Sequence, residues 1–243
     1  MIRIIKGLVM LVCFSIMTIL FITPALLVLM YKRYISYQQG EWLVRHMRYL
    51  FVRMHDRIFW HPSRFEVIWR TPKVSPAQTS ALMISNHQCF LDSHFLITLA
   101  QASLGDQKFL MKDSIKWIPF WGWYTWLNNY PFIKNNNRVN RFRKAFVSDL
   151  YQKIKEESVR SQALPTMWTC YPEGTRYKQN KDQHNKGVLS PRVGGVKTLL
   201  TMFDKPVVCW DITLKYHPKP PSYFDVLFGK GYSLEVWAES HQL

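Results

Sequence analysis

The sequence predicts an α/β domain that follows an N-terminal membrane helix and a basic amphipathic helix. Three observations lead to this expectation. Residues 7–31 form an uncharged apolar run, residues 41–60 combine helical apolar spacing with arginines, and short apolar bursts alternate with helical stretches from residue 62 onward. We therefore divide the chain into residues 1–61, which carry the two helices, and residues 62–243, which form the α/β domain.

The apolar run 7–31 exceeds the roughly 20 residues that a helix needs to cross a bilayer. It is also longer than the apolar core of a cleaved signal peptide, and no clear cleavage site precedes Lys32. Pro24 either kinks a spanning helix or divides a shallow one that enters a single leaflet. Basic residues are more numerous after the run than before it, which predicts that the body of the protein lies on the cytosolic face of its membrane, a bacterial inner membrane or the endoplasmic reticulum.

The second predicted helix, 41–60, has an apolar stripe formed by Leu43, Met47, Leu50, Met54 and Ile58. Arginines occupy much of its remaining surface. Two interpretations stay open, since the helix either packs on the domain or lies on anionic lipid headgroups beside the membrane helix.

The composition indicates a globular protein and the kind of partner it binds. Hydrophobic residues make up 48% of the 243 residues, with only 10 Gly and 13 Pro, which excludes a disordered or collagen-like chain. The net charge of +16 favours an anionic partner such as nucleic acid, acidic lipid or a phosphorylated substrate. The four cysteines show no Cys-x-x-Cys spacing, so we expect reduced thiols, no metal site, and a buried Cys89 in place of a nucleophilic one.

The α/β domain is predicted from short segments rich in β-branched and aromatic residues that alternate with longer helical segments. The predicted strands are 65–69, 81–85, 130–133, 166–171, 206–214 and 233–237, and the predicted helices are 92–101, 138–157 and 190–203.

A His and an Asp follow the apolar strand 81–85. On one continuous helix, the five-residue offset of His87 and Asp92 would separate them by about 140 degrees, so they meet only if the chain turns between strand and helix. In such a turn the carboxylate fixes the imidazole tautomer and leaves the other nitrogen basic. The alternative is a helix-capping Asp beside a surface His.

A second turn follows the strand 166–171, with the sequence Pro172-Glu173-Gly174-Thr175-Arg176. The glycine permits a sharp turn, and the arginine fork can bind phosphate oxygens with two hydrogen bonds. Two strand ends that offer a base and a phosphate-binding group are expected of an enzyme that acts on a phosphorylated alcohol.

These motifs resemble those of the glycerophospholipid acyltransferases typified by 1-acyl-glycerol-3-phosphate (lysophosphatidic acid) acyltransferases. Residues 86–92 match the family motif N-H-x4-D, and residues 172–176 match P-E-G-T-R. Segments 109–122 and 130–134 look like the family's Lys-containing segment and phosphate-side strand, and 187–192 and 211–214 resemble the branch with lysocardiolipin acyltransferases and their bacterial relatives. The resemblance covers residues 65–243 and implies a mixed-sheet glycerolipid acyltransferase domain.

The resemblance also implies the reaction. A membrane-bound enzyme of this kind moves an acyl chain from acyl-CoA or acyl-carrier protein, its co-substrate, to the hydroxyl of a lysophospholipid such as lysophosphatidic acid, without a further cofactor. His87 would be the general base and Asp92 would orient it, with no covalent acyl-enzyme. The implied substrate-binding residues are Asn86, Lys112, Lys134, Arg138, Glu173, Gly174, Thr175 and Arg176. Asn135 stands where the family usually has Arg, so charge at that motif would come from Lys134 or Arg138.

One other function remains open, that of a non-catalytic, membrane-anchored basic adaptor that binds anionic lipid. The anchor and the arginines suffice for it, but they leave the two motifs unexplained. Nucleic-acid binding is disfavoured because the chain carries a membrane segment and no zinc-finger or RNA-recognition signature. Four tryptophans either pack in the core, line an acyl-chain tunnel or lie at the membrane interface: Trp117, Trp121, Trp123 and Trp126.

Overall fold

A computed structural model describes most of the chain. The described residues are 2–59, 65–72, 80–103, 107–119, 121–133, 152, 166–174, 176, 191, 193–200, 203, 207–222, 225–226 and 231–243. The helices are α1 (Ile2–Tyr34), α2 (Tyr37–Phe59), α3 (Leu91–Ser103), α4 (Trp121–Leu127) and α5 (Val193–Leu200), with a 3-10 helix at Asp113–Trp117. The strands are β1 (Phe65–Trp69), β2 (Ala81–Ser85), β3 (Gln107–Phe109), β4 (Met111–Lys112), β5 (Phe132–Ile133), β6 (Met167–Cys170), β7 (Val208–His217) and β8 (Tyr232–Gln242).

Six of these strands form one mixed sheet in the order β1-β8-β7-β2-β6-β3, and β4 pairs with β5 separately. All neighbours in the large sheet are parallel except β7 and β8. The carboxyl ends of β2, β6 and β7 therefore lie at the same edge of the sheet. Because ligands of open α/β sheets bind at the carboxyl ends of strands, this edge is where the predicted site residues should meet.

The sheet is apolar on both faces, as expected for central parallel strands. Ala81 and Met83 of β2 belong to the core cluster beneath α3, whereas Leu82 belongs to a second cluster that includes Leu199 of α5. Continuous burial of β2 explains why its sequence, ALMIS, is an uninterrupted apolar run in place of an alternating one. The helices on the two faces fix the strand ends that carry the site.

Helices α1 and α2 form an antiparallel hairpin that packs against α3 and α4. The rings of Phe21 and Phe51 lie 5.8 Å apart between the two helices. Gly40 is buried where the helices meet, and a Cβ atom at that position would overlap Lys32. Pro24 lies inside α1 without ending it. Over the described residues, no helix combines the length and the sustained apolarity needed to cross a bilayer.

Two basic residues of the hairpin are buried, whereas the sequence predicted basic residues on its surface. Lys32 is 4% exposed, forms an ion pair with Glu41 and donates to Asn128 Oδ1 of the α4 end at 3.3 Å. Arg48 is 7% exposed, and its Nε donates to the Tyr124 hydroxyl of α4 at 3.3 Å. Glu41 compensates the charge of Lys32, and Asn128 and Tyr124 accept hydrogen bonds from far along the chain. Periodicity gives no information about such partners.

The predicted apolar stripe of α2 is not the face that packs on the domain. Val44 and Val52, four positions before and four positions after Arg48, are buried, whereas Leu43 and Leu50 are exposed. Met47 and Met54 are half-buried, and the side chain of Ile58 lies outside the described residues. The helix is apolar on two sides, so it packs on the domain through one face and leaves an apolar strip on its outer surface.

Most predicted elements are present: β1 and β2 have the predicted ends, and the others have shifted ends. The strand predicted at 206–214 runs three residues further, to His217, and the last strand extends from Tyr232 to Gln242. The strands β3 and β4, the 3-10 helix and α4 were not predicted, because each is too short to establish a period. The predicted helix 138–157 lies outside the described residues, apart from residue 152.

Candidate active site

The turn between β2 and α3 is held by a side chain that replaces backbone pairing. Asn86 Oδ1 accepts from Leu214 N at 2.8 Å, and Asn86 Nδ2 donates to Leu214 O at the same distance. Gln88 Nε2 donates to the same carbonyl at 3.0 Å. The Asn86 amide thus extends the β2–β7 ladder beyond the end of β2. Its hydrogen bonds support a positioning role, in contrast to the substrate contact that the motif implied.

The turn brings His87 and Asp92 together. His87 Nδ1 lies 2.9 Å from Asp92 Oδ2, with the His87 side chain 14% exposed and the Asp92 side chain fully buried. Nδ1 donates this bond, so Nε2 is left with a lone pair and faces the open side of the site. The pair has the geometry of a general base whose tautomer is fixed by a carboxylate.

Asp92 also caps the turn, in addition to its hydrogen bond with His87. Its Oδ2 accepts from the backbone N–H groups of Gln88 at 2.5 Å and Cys89 at 2.8 Å. Its Oδ1 accepts from the Tyr216 hydroxyl at 2.7 Å. A buried carboxylate needs such donors to offset its lost hydration, and here they come from the turn and from β7.

Cys89 is buried against the same carboxylate, with Sγ 3.6 Å from Asp92 Oδ1. Burial, reinforced by the negative charge of Asp92, raises the pKa of the Cys89 thiol to about 12. The thiol is therefore protonated at neutral pH and is a poor nucleophile.

An aromatic ring forms one wall of the site. Tyr171, at the end of β6, stacks on His87 with ring centroids 4.0 Å apart and 13° between the planes. Its hydroxyl lies 2.8 Å from the Ser93 hydroxyl. Burial, followed by the charge of Asp92, raises the pKa of Tyr171 well above its usual value, so the phenol stays neutral. The stack restricts rotation of the imidazole without using its nitrogens.

The second motif meets the first at the carboxyl end of β6. Glu173 is 4% exposed, and its Oε2 accepts from the His87 backbone N–H at 3.4 Å. Gly174 has a φ of 68°, in the left-handed region that favours glycine. Arg176 is exposed, and its Nε donates to His87 Nε2 at 3.4 Å. The structure favours a positioning role for Glu173, whereas Arg176 faces the basic nitrogen.

Of the other predicted substrate contacts, one lies in the two-stranded sheet and three lie outside the described residues. Lys112 is exposed on β4, in the two-stranded sheet. Lys134, Arg138 and Thr175 lie outside the described residues. No group of His, Cys, Asp or Glu in the described part of the chain is arranged to hold a metal ion.

An apolar cavity lies between the hairpin and the domain. It contains about 710 Å³ of empty space, a volume that includes open solvent, and it is lined by side chains of α1, α2, α3 and α4 together with Gln107 and Tyr130. Ala25, Val44 and Ile97 supply apolar wall, and Trp121 is the one member of the tryptophan group that lines it. Trp117, Trp123 and Trp126 are exposed, so they do not pack in the core. Its lining is mostly apolar, with Arg48, His94 and Gln107 as polar members.

Sequence reasoning missed two residues of this group, Tyr171 and Tyr216. Tyr171 was predicted only as the last residue of a strand. Tyr216 fell outside the predicted strand, although the alternation of Ile212, Leu214 and Tyr216 would have extended that strand to include it.

A family model described as Acyltransferase matches residues 66–211 of this chain, a range that contains both motifs. Two curated relatives carry a related name. The Probable 1-acyl-sn-glycerol-3-phosphate acyltransferase 5 of Arabidopsis thaliana is 26% identical over 214 residues, which cover 82% of this chain and 52% of the relative. The 1-acyl-sn-glycerol-3-phosphate acyltransferase of Haemophilus influenzae is 25% identical over 142 residues, which cover 58% of this chain and 52% of the relative. The chain spans about half the length of each.

A solved structure shares the fold. The 1-acyl-sn-glycerophosphate (LPA) acyltransferase PlsC from Thermotoga maritima is similar with a TM-score of 0.59 and 16% sequence identity. The likeness covers 100% of this chain and 87% of that chain, so it includes the N-terminal hairpin as well as the sheet.

Proposed function

Because the chain belongs to the acyltransferase family, we propose that it moves a fatty acyl chain from a thioester donor to the hydroxyl of a lysophospholipid. The single observation that carries this proposal is the His87–Asp92 pair, whose Nε2 faces the exposed guanidinium of Arg176. The names of the curated relatives support lysophosphatidic acid as the acceptor. Acyl-CoA and acyl-carrier protein are the two candidate donors.

In the proposed reaction, the acceptor hydroxyl gives its proton to His87 Nε2 as its oxygen attacks the thioester carbonyl carbon. The resulting tetrahedral intermediate collapses, the carbon–sulfur bond breaks, and the imidazolium returns the proton to the departing thiolate. Asp92 stabilises the positive charge that His87 carries between these two steps. The protonated state of Cys89 is consistent with direct transfer without an acyl-enzyme.

Arg176 is the proposed binding group for the acceptor phosphate. It is exposed and adjoins the basic nitrogen, so a phosphate bound to it would place the glycerol hydroxyl close to His87. A guanidinium binds phosphate with two parallel hydrogen bonds, which a lysine cannot reproduce. Lys112, Lys134 and Arg138 remain candidates for additional positive charge.

The apolar cavity is the proposed site of an acyl chain. Ala25 is buried in its wall on α1, so a larger side chain at that position would shorten the available space. We expect Ala25→Leu to lower transfer of long chains more than transfer of short ones, measured by competition between two thioesters. Equal rates for both chain lengths relative to the unsubstituted protein would place the acyl chain elsewhere.

The hairpin is the proposed membrane-binding element, with the domain on the cytosolic face. Its outer surface exposes large apolar side chains on both helices, among them Leu20 and Leu27 on α1 and Trp42 and Leu50 on α2. Exposed Trp123 and Trp126 of α4 extend this surface onto the domain. Together with the net charge of +16, these residues fit an anionic lipid surface.

The test is an acyl-transfer assay with a panel of substrates. The full chain, reconstituted in lipid nanodiscs, is incubated with labelled palmitoyl-CoA or palmitoyl-acyl-carrier protein. The acceptors are lysophosphatidic acid, lysophosphatidylglycerol, lysophosphatidylcholine and monoacylglycerol. We expect a diacyl product with a phosphorylated acceptor. Vesicle binding without transfer to any acceptor would favour the non-catalytic lipid-binding adaptor.

A further inference from the structure

We propose that Tyr216 is a positioning residue for the His87–Asp92 pair, and that its hydroxyl controls how much negative charge Asp92 presents to the imidazole. This inference rests on the proposed function, since it concerns the base of that reaction. Tyr216 and Asp92 are 124 positions apart in the chain, and the parallel pairing of β2 with β7 brings them together.

The geometry of Tyr216 suits this role. It lies one residue before the end of β7, on the buried face that also carries Ile212 and Leu214, and its side chain is 3% exposed. Its hydroxyl donates to Asp92 Oδ1, whereas His87 donates to Asp92 Oδ2. The phenol and the imidazole thus share one carboxylate from opposite oxygens.

The donor role of Tyr216 is consistent with its surroundings. Burial, and then the charge of Asp92, raise its pKa well above the usual value, so the phenol keeps its proton over the working pH range. Among the described residues, other titratable or charged groups near the pair come from three elements. The turn supplies Cys89, the end of β6 supplies Tyr171, and the following loop supplies Glu173 and Arg176.

The chemical consequence follows from charge sharing. A hydrogen bond from Tyr216 draws negative charge toward Oδ1 and away from Oδ2. When that bond is lost, Oδ2 holds the protonated imidazole more strongly, and a larger fraction of His87 is protonated at a given pH. Because the base must be neutral to accept a proton, activity should then begin at higher pH.

The test is the pH dependence of kcat/KM for Tyr216→Phe. We expect the midpoint of the acidic limb to move to higher pH by about half a unit, and kcat at its optimum to fall about 10-fold. Replacing Tyr216 with 3-fluorotyrosine keeps the shape and strengthens the donor, so the midpoint should move to lower pH. This second variant avoids the removal of a buried hydroxyl and serves if Tyr216→Phe folds poorly.

Tyr171→Phe is the matched control. It also removes a buried phenol hydroxyl beside His87, but that hydroxyl bonds to Ser93 and the aromatic stack is retained. We expect no shift of the acidic limb in this variant. An unshifted limb in both Tyr216 variants, or an equal shift in Tyr171→Phe, would overturn the role of Tyr216. Failure of the proposed function is distinguishable, because the unsubstituted protein would then transfer no acyl chain.

Discussion

Replacing Asp92 with asparagine should remove the charge of the pair while keeping its geometry. Three groups that donate meet Oδ2: His87 Nδ1 and the backbone N–H groups of Gln88 and Cys89. In Asp92→Asn, an amide nitrogen at the Oδ2 position would face three donors. The amide should therefore place its oxygen at the Oδ2 position. Its nitrogen would then face Tyr216, whose hydroxyl can accept as well as donate.

The expected effects on stability and on activity differ in size. Hydrogen bonds to a charged acceptor are worth about 1.5–3 kcal/mol and neutral ones about 0.5–1.5 kcal/mol, and burying a neutral amide costs less than burying a carboxylate. We expect a net loss of about 1–3 kcal/mol in the free energy of unfolding. The acyl-transfer rate should fall by roughly 10²- to 10⁴-fold, because the imidazolium loses its counter-charge.

Thermal unfolding and steady-state kinetics on the same nanodisc preparation test this prediction. Ser93→Ala is the matched control, since Ser93 is the next residue of α3 and its hydroxyl bonds to Tyr171. Its rate should stay within a few-fold of the unsubstituted protein. A folded Asp92→Asn variant with near-normal kcat would refute the reasoning, because the carboxylate charge would then be unnecessary.

Three further predictions concern the hairpin and the acceptor site. Gly40→Ala should destabilise the protein by about 1–3 kcal/mol in thermal unfolding, because its methyl group would overlap the backbone of Lys32; an unchanged melting temperature would contradict the close packing. Burial alone would raise the pKa of Glu41, but the charge and hydrogen bond of Lys32 outweigh it and lower that pKa to about 2. Ionised Glu41 therefore stabilises the fold at pH values above its unfolded pKa near 4.5, and acidification toward pH 2 should remove this stabilisation. In acid unfolding, the Glu41→Gln variant should not show this loss of stability. Arg176→Lys should raise KM for lysophosphatidic acid more than KM for the thioester, and equal losses with monoacylglycerol would make Arg176 a structural residue.

The contact between His87 and Asp92 was predictable because it is local. A strand end, a five-residue offset and a helix start determine it, and all three are visible in the sequence. Convergence of the two motifs followed from the α/β class, which places the carboxyl ends of β2 and β6 at one edge. The resemblance to acyltransferases was confirmed by the family match.

The contacts that could not be predicted join residues distant in the chain. Tyr216 reaches Asp92 only because β7 pairs with β2, and the local sequence pattern does not determine the order of strands in the sheet. The burial of Lys32 and Arg48 likewise involves hydrogen bonds to Asn128 and Tyr124. A basic residue in an amphipathic pattern is normally exposed, so the sequence predicted an exposed face where the fold builds a buried polar contact.

The most direct test of the central claim is the acyl-transfer rate of His87→Ala. The control is His241→Ala. His241 is an exposed histidine of β8 that lies opposite Cys209 in the strand register, at the end of β7 far from Tyr216. With labelled thioester and lysophosphatidic acid, we predict at least a roughly 100-fold loss for His87→Ala, an unchanged rate for His241→Ala, and normal folding and vesicle binding for both. A His87→Ala variant that transfers the acyl chain at a near-normal rate would contradict the assignment of His87 as the base.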